Sequence, residues 1–274
     1  MAAEILAGWE MVATESNQRW NPDEYDRTAR FVSDLGADAL ALLDPSPGER
    51  ILDLGCGDGV LTERIIRVGA RVVALDSSAE QVTAARGRGV DARVGDAASL
   101  EFQNEFDAVF SNAVLHWIRD VDAVLAGVHR TLRSGGRFVA EFGGAGNIET
   151  VRLALVAALN RRGFDGQALD PWYFPGAAEY SDRLEAHGFV VESAELFDRP
   201  TRLTGDMLDW LALFGQRFFA ALNEGDRPTA VAEVCDAVRA GLQRADGTWM
   251  VDYVRLRVKA LKADDGAIAT KHHA

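Results

Sequence analysis

The amino-acid sequence predicts an α/β protein whose core is a doubly wound, mostly parallel seven-stranded sheet. Three observations indicate this fold class. Short apolar runs alternate with segments of helical periodicity from residue 51 onward, and a glycine-rich turn, Gly55 to Gly59, separates the first run from the first helix of the core. The chain has 274 residues, of which 48% are hydrophobic, so it can bury a sizeable core. Consecutive strand–helix units cross over right-handedly and cover both sheet faces, which accounts for strands made of uninterrupted apolar residues.

A helix is expected ahead of the first strand. Asn21 is a suitable N-cap, and Pro22 suits the first helical position because its fixed φ matches the helix. The segment Asp44-Pro-Ser-Pro-Gly48 ends this helix, since two prolines and a glycine cannot continue its hydrogen bonds. We therefore expect residues 1–44 to form an N-terminal helical segment.

We assign residues 45–200 to the core domain. Six strands are expected in it. Each strand is a short apolar run bounded by glycine, proline or polar residues. The runs cover residues 51–54, 71–76, 91–94, 106–111, 138–142 and 189–196. Helical spacing between them predicts the intervening helices, including one over residues 121–132 that Gly135 and Gly136 separate from the fifth strand.

A helical insertion and a last strand are expected after residue 200. Over residues 201–247 the strand signal disappears and large apolar residues recur at helical spacing, which predicts a helical cap. Apolar and basic side chains then alternate, as in a half-exposed edge strand, so we assign residues 248–262 to the final core strand. Residues 263–274 lack periodicity and are expected to form a mobile tail.

The net charge indicates which partners are disfavoured, and the cysteine content indicates the cellular compartment. Lys and Arg number 29 against 42 Asp and Glu, a net charge of −13 that repels nucleic acid and anionic lipid. The two cysteines, Cys56 and Cys235, show neither metal-site spacing nor the density of a disulfide scaffold, which favours a reducing, cytoplasmic protein. No apolar run approaches the ~18 residues of a membrane span. We predict no metal, and the sequence does not specify an oligomeric state.

The glycine turn after the first strand is typical of a ligand-binding site. Glycine lets the backbone approach a ligand closely, and the following helix offers unpaired N–H groups. Gly55, Gly57 and Gly59 are separated by single residues, unlike the Gly-x-Gly-x-x-Gly spacing of dinucleotide sites. Asp53 precedes the turn, where it would disfavour a pyrophosphate and tolerate a cationic group such as a sulfonium, or would tie down the turn by accepting backbone hydrogen bonds.

The segment from Ile51 to Gly59, Ile-Leu-Asp-Leu-Gly-Cys-Gly-Asp-Gly, resembles motif I of the class I S-adenosylmethionine-dependent methyltransferases, which share a Rossmann-like fold. The resemblance implies that the turn cradles the methionyl part of the cofactor and that Asp76, ending the second strand, binds the ribose hydroxyls. It also implies that Asp96 meets the adenine amino group and that the loop from Ser111 to Trp117 faces the methyl. The implied cofactor-binding residues are Asp53, Gly55, Cys56, Gly57, Gly59, Asp76, Ser77, Asp96, Ala97 and Asn112, with Trp20 and Tyr25 from the N-terminal segment.

Structural alternatives remain open for three of these residues. In these alternatives Asp76 caps the helix that starts near Ser78, Asp96 forms an Asx turn, and Asn112 is a polar turn residue.

The chain also resembles the trans-aconitate methyltransferases over about residues 18 to 260. The resemblance lies in Trp20-Asn-Pro-Asp-Glu-Tyr25, in Ser111-Asn-Ala-Val-Leu-His-Trp117 and in the helical insertion before the last strand. It implies an N-terminal lid over the cofactor, although a helix packed on the sheet is the alternative. It also implies an acceptor with carboxylates and a basic pocket, for which the candidates are Arg19, Arg161, Arg162 and Arg199, unless these are solvated charges.

Other side chains are candidates for acting on the acceptor. His116 would serve as a general base, since imidazole takes up a proton near neutral pH, or it would be part of the pocket wall. Aromatic faces attract a sulfonium and exclude water, although core packing is the alternative for each. The predicted pocket residues are Trp117, Trp172, Tyr173, Phe174 and Trp210.

The sequence therefore favours an S-adenosylmethionine-dependent methyltransferase that acts on a small organic molecule, with a carboxylate as the leading acceptor and S-adenosylhomocysteine as the product. Methylation of carbon, nitrogen or a phenol is the first alternative. A nicotinamide oxidoreductase and a non-catalytic nucleotide-binding protein are alternatives of other classes. A nucleic-acid base methyltransferase is disfavoured by the net charge of −13 and by the absence of an Asn/Asp-Pro-Pro-Tyr/Phe motif after the fourth strand.

Overall fold

A computed structural model describes residues 35–263 of the chain. These residues divide into two compact units, which we describe separately. The sheet unit comprises residues 35–145, 173–197 and 255–263, and the helical unit comprises residues 146–172 and 198–254. The predicted N-terminal segment with Trp20 and Tyr25, and nearly all of the predicted tail, lie outside the described residues.

The described helices and strands alternate over residues 37–143, with a one-turn helix between the third and fourth strands, whereas consecutive helices and consecutive strands occur after residue 143. In chain order they are α1 (Ala37–Leu43), β1 (Arg50–Leu54), α2 (Val60–Arg67), β2 (Arg71–Asp76), α3 (Ala79–Gly87), β3 (Ala92–Val94), β4 (Phe106–Asn112), α4 (Val121–Thr131), β5 (Leu132–Gly143), α5 (Glu149–Asn160), α6 (Ala177–Ala186), β6 (Phe189–Asp198), β7 (Thr201–Arg202), α7 (Met207–Phe214), α8 (Gln216–Ala220), α9 (Arg227–Leu242), β8 (Met250–Val251) and β9 (Val254–Lys262). One-turn 3-10 helices cover Ala97–Ser99 and Leu115–Trp117.

Seven of the described strands form one sheet in the order β3-β2-β1-β4-β5-β9-β6. Strands β1 to β5 pair in parallel, and β9 pairs antiparallel to β5. The predicted fold class, a doubly wound and mostly parallel seven-stranded sheet, is confirmed. The strand order reverses between β1 and β4, and ligands of such sheets bind at this switch point, outside the carboxyl ends of the strands.

Both faces of the sheet are buried, which explains the apolar runs of its strands. Alternate residues of a strand point to opposite faces. Leu52 belongs to one hydrophobic cluster together with Leu125 of α4, whereas its neighbour Ile51 belongs to another cluster with Leu43 of α1 and Ile65 of α2. An apolar residue is therefore needed at every position of β1 that faces a helix layer.

The expectation of a half-exposed edge strand at the end of the chain is wrong. Met250–Val251 pairs with β7 in a separate two-stranded sheet, and β9 begins at Val254 and lies between β5 and β6. The basic residues that suggested a solvent face are ion-paired within the sheet unit. Arg257 pairs with Glu141 of β5, and Lys259 pairs with Glu192 of β6.

The fifth strand is longer than predicted. It begins at Leu132, directly after α4, and Gly135 and Gly136 lie inside it instead of preceding it. Gly135 adopts a φ of 72°, and the pairing with β4 shifts register between Phe106 and Ala108, so the glycines mark an irregularity in the strand.

The helical unit is built around α5, α9 and an aromatic cluster. Trp172 contacts Trp210 and Phe218, with ring centroids 6.5 and 5.3 Å away, and Trp210 donates a hydrogen bond from Nε1 to the Tyr253 hydroxyl at 2.7 Å. Just after the end of α5, Arg162 pairs with Glu233 of α9 at 2.7 Å. No helix within residues 35–263 is long and apolar enough to cross a bilayer.

Candidate functional site

The three glycines of the turn after β1 have different surroundings. Gly55, Gly57 and Gly59 adopt φ values of 79°, 54° and 83°, in the left-handed region that side chains disfavour. A Cβ on Gly55 would lie 2.2 Å from Val114, and one on Gly59 would lie 3.1 Å from Ala85, whereas a Cβ on Gly57 would meet none of the described residues within 4 Å. Packing thus requires Gly55 and Gly59, and Gly57 borders open space.

Asp76, at the carboxyl end of β2, is bonded to the glycine turn. Its Oδ2 accepts a hydrogen bond from the Gly57 N–H at 2.9 Å, and its Oδ1 accepts one from the Ser78 N–H at 2.9 Å. Ser78, and not Asp76, is the N-cap of α3, accepting a hydrogen bond from the Gln81 N–H. Burial raises the pKa of Asp76, although these backbone hydrogen bonds oppose the shift. Each oxygen keeps a further lone pair that could accept a ligand hydroxyl.

Asp53 lies beneath the turn, with 2% of its surface exposed. Its Oδ2 accepts a hydrogen bond from the Thr62 hydroxyl at 2.6 Å, not from backbone N–H groups of the turn. Burial raises the pKa of Asp53 to about 7; the Thr62 hydrogen bond opposes this shift and the charge of Asp76 adds to it. Neighbouring Cys56 is also buried, and burial raises the pKa of its thiol well above the ordinary value.

The segment after β3 is more exposed. Asp96 is the N-cap of the 3-10 helix Ala97–Ser99, and its Oδ1 accepts a hydrogen bond from the Ala98 N–H at 2.9 Å. This is the Asx-type geometry that was the structural alternative for Asp96. Ser77 is exposed beside Asp76, and Ala97 is partly buried.

The loop after β4 is held by long-range hydrogen bonds. The buried Ser111 hydroxyl donates to the carbonyl of Leu54 at 2.8 Å, which joins the carboxyl ends of β4 and β1. Asn112 is partly exposed at the end of β4. Ala113 adopts a φ of 61°, strained for a residue with a Cβ, and its N–H donates to the carbonyl of Glu141 at 2.7 Å. The loop is therefore fixed against the end of β5.

His116 follows in this loop, with 7% of its surface exposed. Its Nδ1 accepts a hydrogen bond from the Gly143 N–H at 3.2 Å, at the last residue of β5. Because that N–H is a donor, the neutral ring carries its hydrogen on Nε2. Burial, reinforced by the charge of Arg255, holds the pKa of His116 well below 6.5.

The predicted pocket aromatics divide between the two units. The rings of Trp117 and Phe174 lie 5.5 and 5.8 Å from the ring of His116, centroid to centroid, and the Tyr173 N–H donates to the His116 carbonyl. The Tyr173 hydroxyl donates to Glu179 at 2.8 Å. Trp172 and Trp210 lie in the buried aromatic cluster of the helical unit.

Three residues near this edge of the sheet were not predicted from the sequence. Arg255 of β9 is 6% exposed and lies opposite Gly143 in the sheet, and Glu141 is 2% exposed and accepts a hydrogen bond from Arg257 at 2.8 Å. Gly36 lies close to Asn112, because a Cβ there would be 3.2 Å from its Nδ2. A charged residue inside the apolar run Phe138–Phe142 was the signal available for Glu141.

Two of the basic side chains proposed for an acceptor pocket have acidic partners. Arg161 and Arg162 both pair with Glu233 in the helical unit. Arg19 lies outside the described residues, and Arg199 donates its backbone N–H to the carbonyl of Tyr253.

Comparison with known proteins identifies relatives over nearly the whole chain. A family model described as a methyltransferase domain matches residues 52–140. An uncharacterised methyltransferase of Schizosaccharomyces pombe is 38% identical over 256 residues, covering 89% of this chain and 98% of that protein. The trans-aconitate 2-methyltransferase of Mycolicibacterium gilvum is 34% identical over 253 residues, covering 88% and 98%.

Solved structures share the fold at low identity. A structure from Bacillus halodurans that is assigned as a methyltransferase superposes with a TM-score of 0.58 and 15% identity, covering 83% of this chain and 98% of that one. Phosphoethanolamine N-methyltransferase 2 of Haemonchus contortus, in complex with S-adenosyl-L-methionine, superposes with a TM-score of 0.54 and 20% identity, covering 84% and 53%.

Proposed function

The chain belongs to the class I S-adenosylmethionine-dependent methyltransferases, and we propose that it methylates a carboxylate oxygen of a small organic molecule. The observation that carries this acceptor class is the state of His116. Its basic nitrogen, Nδ1, already accepts the Gly143 N–H, so this loop offers no free imidazole base. A carboxylate is deprotonated at neutral pH and needs none, whereas phenols, ammonium groups and carbon acids must lose a proton.

The residues after β1 and β2 fit the cofactor. The open space at Gly57 would admit the methionyl part of the ligand, and the spare lone pairs of Asp76 would accept the two ribose hydroxyls. We assign Asp96 to the adenine amino group and place Gly55, Cys56, Gly59, Ser77, Ala97 and Asn112 along the same cleft. Asp53 supports the turn from below, because its carboxylate is buried against Thr62. Trp20 and Tyr25 remain predicted lid residues.

The main catalytic contribution of the chain is placement. When bound, S-adenosylmethionine supplies an electrophilic methyl on a positively charged sulfur. The loop from Ser111 to Trp117 would orient the acceptor, and the rings of Trp117 and Phe174 would exclude water beside His116. Holding two reactants in line supplies about 7–11 kcal/mol of a barrier, so neither a covalent intermediate nor a general base is required.

A relative with a named substrate supports the proposal. The Mycolicibacterium gilvum protein is named as a trans-aconitate 2-methyltransferase, and the similarity extends over 88% of this chain. We therefore expect a small-molecule acceptor and no nucleic-acid or membrane partner. A cytoplasmic location stays a prediction that agrees with the free, buried thiols of Cys56 and Cys235. The role of the helical insertion as a cap also stays a prediction.

A competition assay tests the acceptor class. The protein is incubated with S-adenosylmethionine carrying a labelled methyl and with equal concentrations of trans-aconitate, a phenol and a primary amine. We expect the label in a base-labile methyl ester of trans-aconitate. Label in the phenol or amine product would favour the other acceptors, and cofactor binding without turnover on a broader panel of all three classes would favour a non-catalytic protein.

A further inference from the structure

The two ring nitrogens of His116 have different surroundings. Nδ1 accepts the Gly143 N–H, whereas within residues 35–263 no group is hydrogen-bonded to Nε2. Nε2 is also absent from the described side-chain atoms that are fully buried without a partner, and the residue keeps 7% of its surface exposed. The accessible nitrogen of this ring is therefore the one that carries the hydrogen.

We propose that His116 binds the methyl acceptor by donating a hydrogen bond from Nε2 to an anionic oxygen, and that the Gly143 N–H fixes the ring in this tautomer. The acceptor's identity as a carboxylate rests on the proposed function. His116 then orients the acceptor and recognises its charge, and no proton is transferred to the ring. This role differs from the general base that the residue type suggested.

A general base at this position would have to break an existing contact. The accessible nitrogen would need a lone pair, which moves the hydrogen to Nδ1 and sets it against the Gly143 N–H. The amide would then lose its acceptor in a buried environment, since both residues are buried. An unsatisfied buried amide is costly, so the tautomer with its hydrogen on Nε2 is strongly favoured.

The charged groups around His116 agree with a neutral donor that faces an anion. Arg255 of β9 lies opposite Gly143, and its positive charge opposes protonation of the ring. Glu141 of β5 is ion-paired with Arg257. In the segment that begins at residue 173, the Tyr173 hydroxyl donates a hydrogen bond to Glu179. The ring is therefore held neutral, as a donor to an anionic acceptor requires.

Nuclear magnetic resonance tests the tautomer without any acceptor. Long-range proton–nitrogen correlation on protein with 15N-labelled histidine, assigned by comparison with His116→Asn, reports which nitrogen carries hydrogen. We expect a neutral ring with its hydrogen on Nε2 from about one pH unit above to about one pH unit below 6.5, the ordinary pKa. A doubly protonated ring in that range, or hydrogen on Nδ1 alone, would overturn the proposal.

Two matched substitutions test the donor. His116→Asn keeps an acceptor near the Nδ1 position for the Gly143 N–H but leaves no atom at Nε2, whereas His116→Gln places an amide N–H near Nε2. The probe is tricarballylate, a saturated tricarboxylate, titrated calorimetrically into protein saturated with S-adenosylhomocysteine. We expect His116→Asn to weaken its binding by about tenfold or more and His116→Gln to restore it to within about threefold.

The outcomes separate the two proposals. Equal weakening by both substitutions, or no weakening by either, would overturn the donor role of His116. If the unmodified protein does not bind tricarballylate at all, the carboxylate acceptor class fails, and the resonance measurement still decides the tautomer. Binding of S-adenosylhomocysteine to each variant serves as the control for folding.

Discussion

The carboxyl ends of β1 and β2 and those of β4 and β5 form two halves of one sheet edge that are built differently. The first half is formed mainly by backbone: the turn glycines adopt positive φ, and the Gly57 N–H donates to a single carboxylate, Asp76. The second half is assembled from side chains of several distant segments, such as His116, Phe174 and Arg255. Changes in the first half should therefore affect binding of the cofactor, and changes in the second half should affect binding of the acceptor.

The largest expected effect comes from a glycine that serves packing. Gly55→Ala would place a Cβ 2.2 Å from Val114 at a φ of 79°, so both overlap and backbone strain oppose folding. We expect a loss of about 2–4 kcal/mol in the free energy of unfolding, measured by urea denaturation. Unchanged stability would contradict the packing role assigned to Gly55.

A smaller effect, measured on ligand binding, is expected from the carboxylate at the end of β2. Asp76→Ala should weaken S-adenosylhomocysteine binding by about 1.5–3 kcal/mol, because two hydroxyls and the Gly57 N–H lose a charged acceptor. Asp96→Ala is the comparison: its carboxylate is exposed, so its hydrogen bond to the adenine amino group should contribute less, and we expect a loss of at most about 1 kcal/mol. Calorimetry gives both values, and equal losses would break the distinction between the two acids.

The pH dependence of stability tests the buried acid beneath the turn. The pKa of Asp53 is raised from 3.8 to about 7, so the folded protein holds this proton more tightly than the unfolded chain does. Its contribution to stability is therefore complete below about pH 4 and is lost as the pH rises through about 7. Relative to Asp53→Asn, the ligand-free protein should lose at most about 1.4 kcal/mol per pH unit in this window.

Urea denaturation of both proteins between pH 4 and pH 8 measures the difference directly. Asparagine keeps a carbonyl oxygen for the Thr62 hydroxyl, so the comparison isolates the titration of the carboxyl group. Parallel stability curves for the two proteins would contradict a raised pKa for Asp53.

The two halves of the sheet edge also differ in how far the sequence alone predicts them. The turn from Gly55 to Gly59 and the acid Asp76 were recognisable from the sequence because their roles depend on consecutive residues and on strand ends. Arg255 and the Nδ1 contact of His116 were not, because they depend on which segments the sheet brings together. His116 and Gly143 are 27 residues apart, and the strand of Arg255 was expected at the sheet edge but lies in its interior.

Prediction of the fold from the sequence is limited in the same way, because contacts between distant segments are not visible in the local pattern. Apolar runs and turn residues predicted β1 to β4 to within one residue at each end, whereas β5 begins at Leu132 instead of residue 138. The alternating basic residues of β9 suggested solvent exposure, because the sequence alone does not reveal that Arg257 and Lys259 have acidic partners on the neighbouring strands. Pairing across the sheet, and not local pattern, decided that strand's position.

The most direct test of the two-part site is calorimetric titration of S-adenosylhomocysteine into Gly57→Ala and Gly48→Ala. Both glycines have positive φ, 54° and 85°, and a Cβ at either meets nothing within 4 Å among residues 35–263, so both substitutions should cost a similar free energy of unfolding, about 1 kcal/mol. Only Gly57 borders the proposed cofactor space. We predict at least about tenfold weaker binding for Gly57→Ala and unchanged binding for Gly48→Ala. Equal affinities for the two variants would contradict the assignment of the turn after β1 to the cofactor.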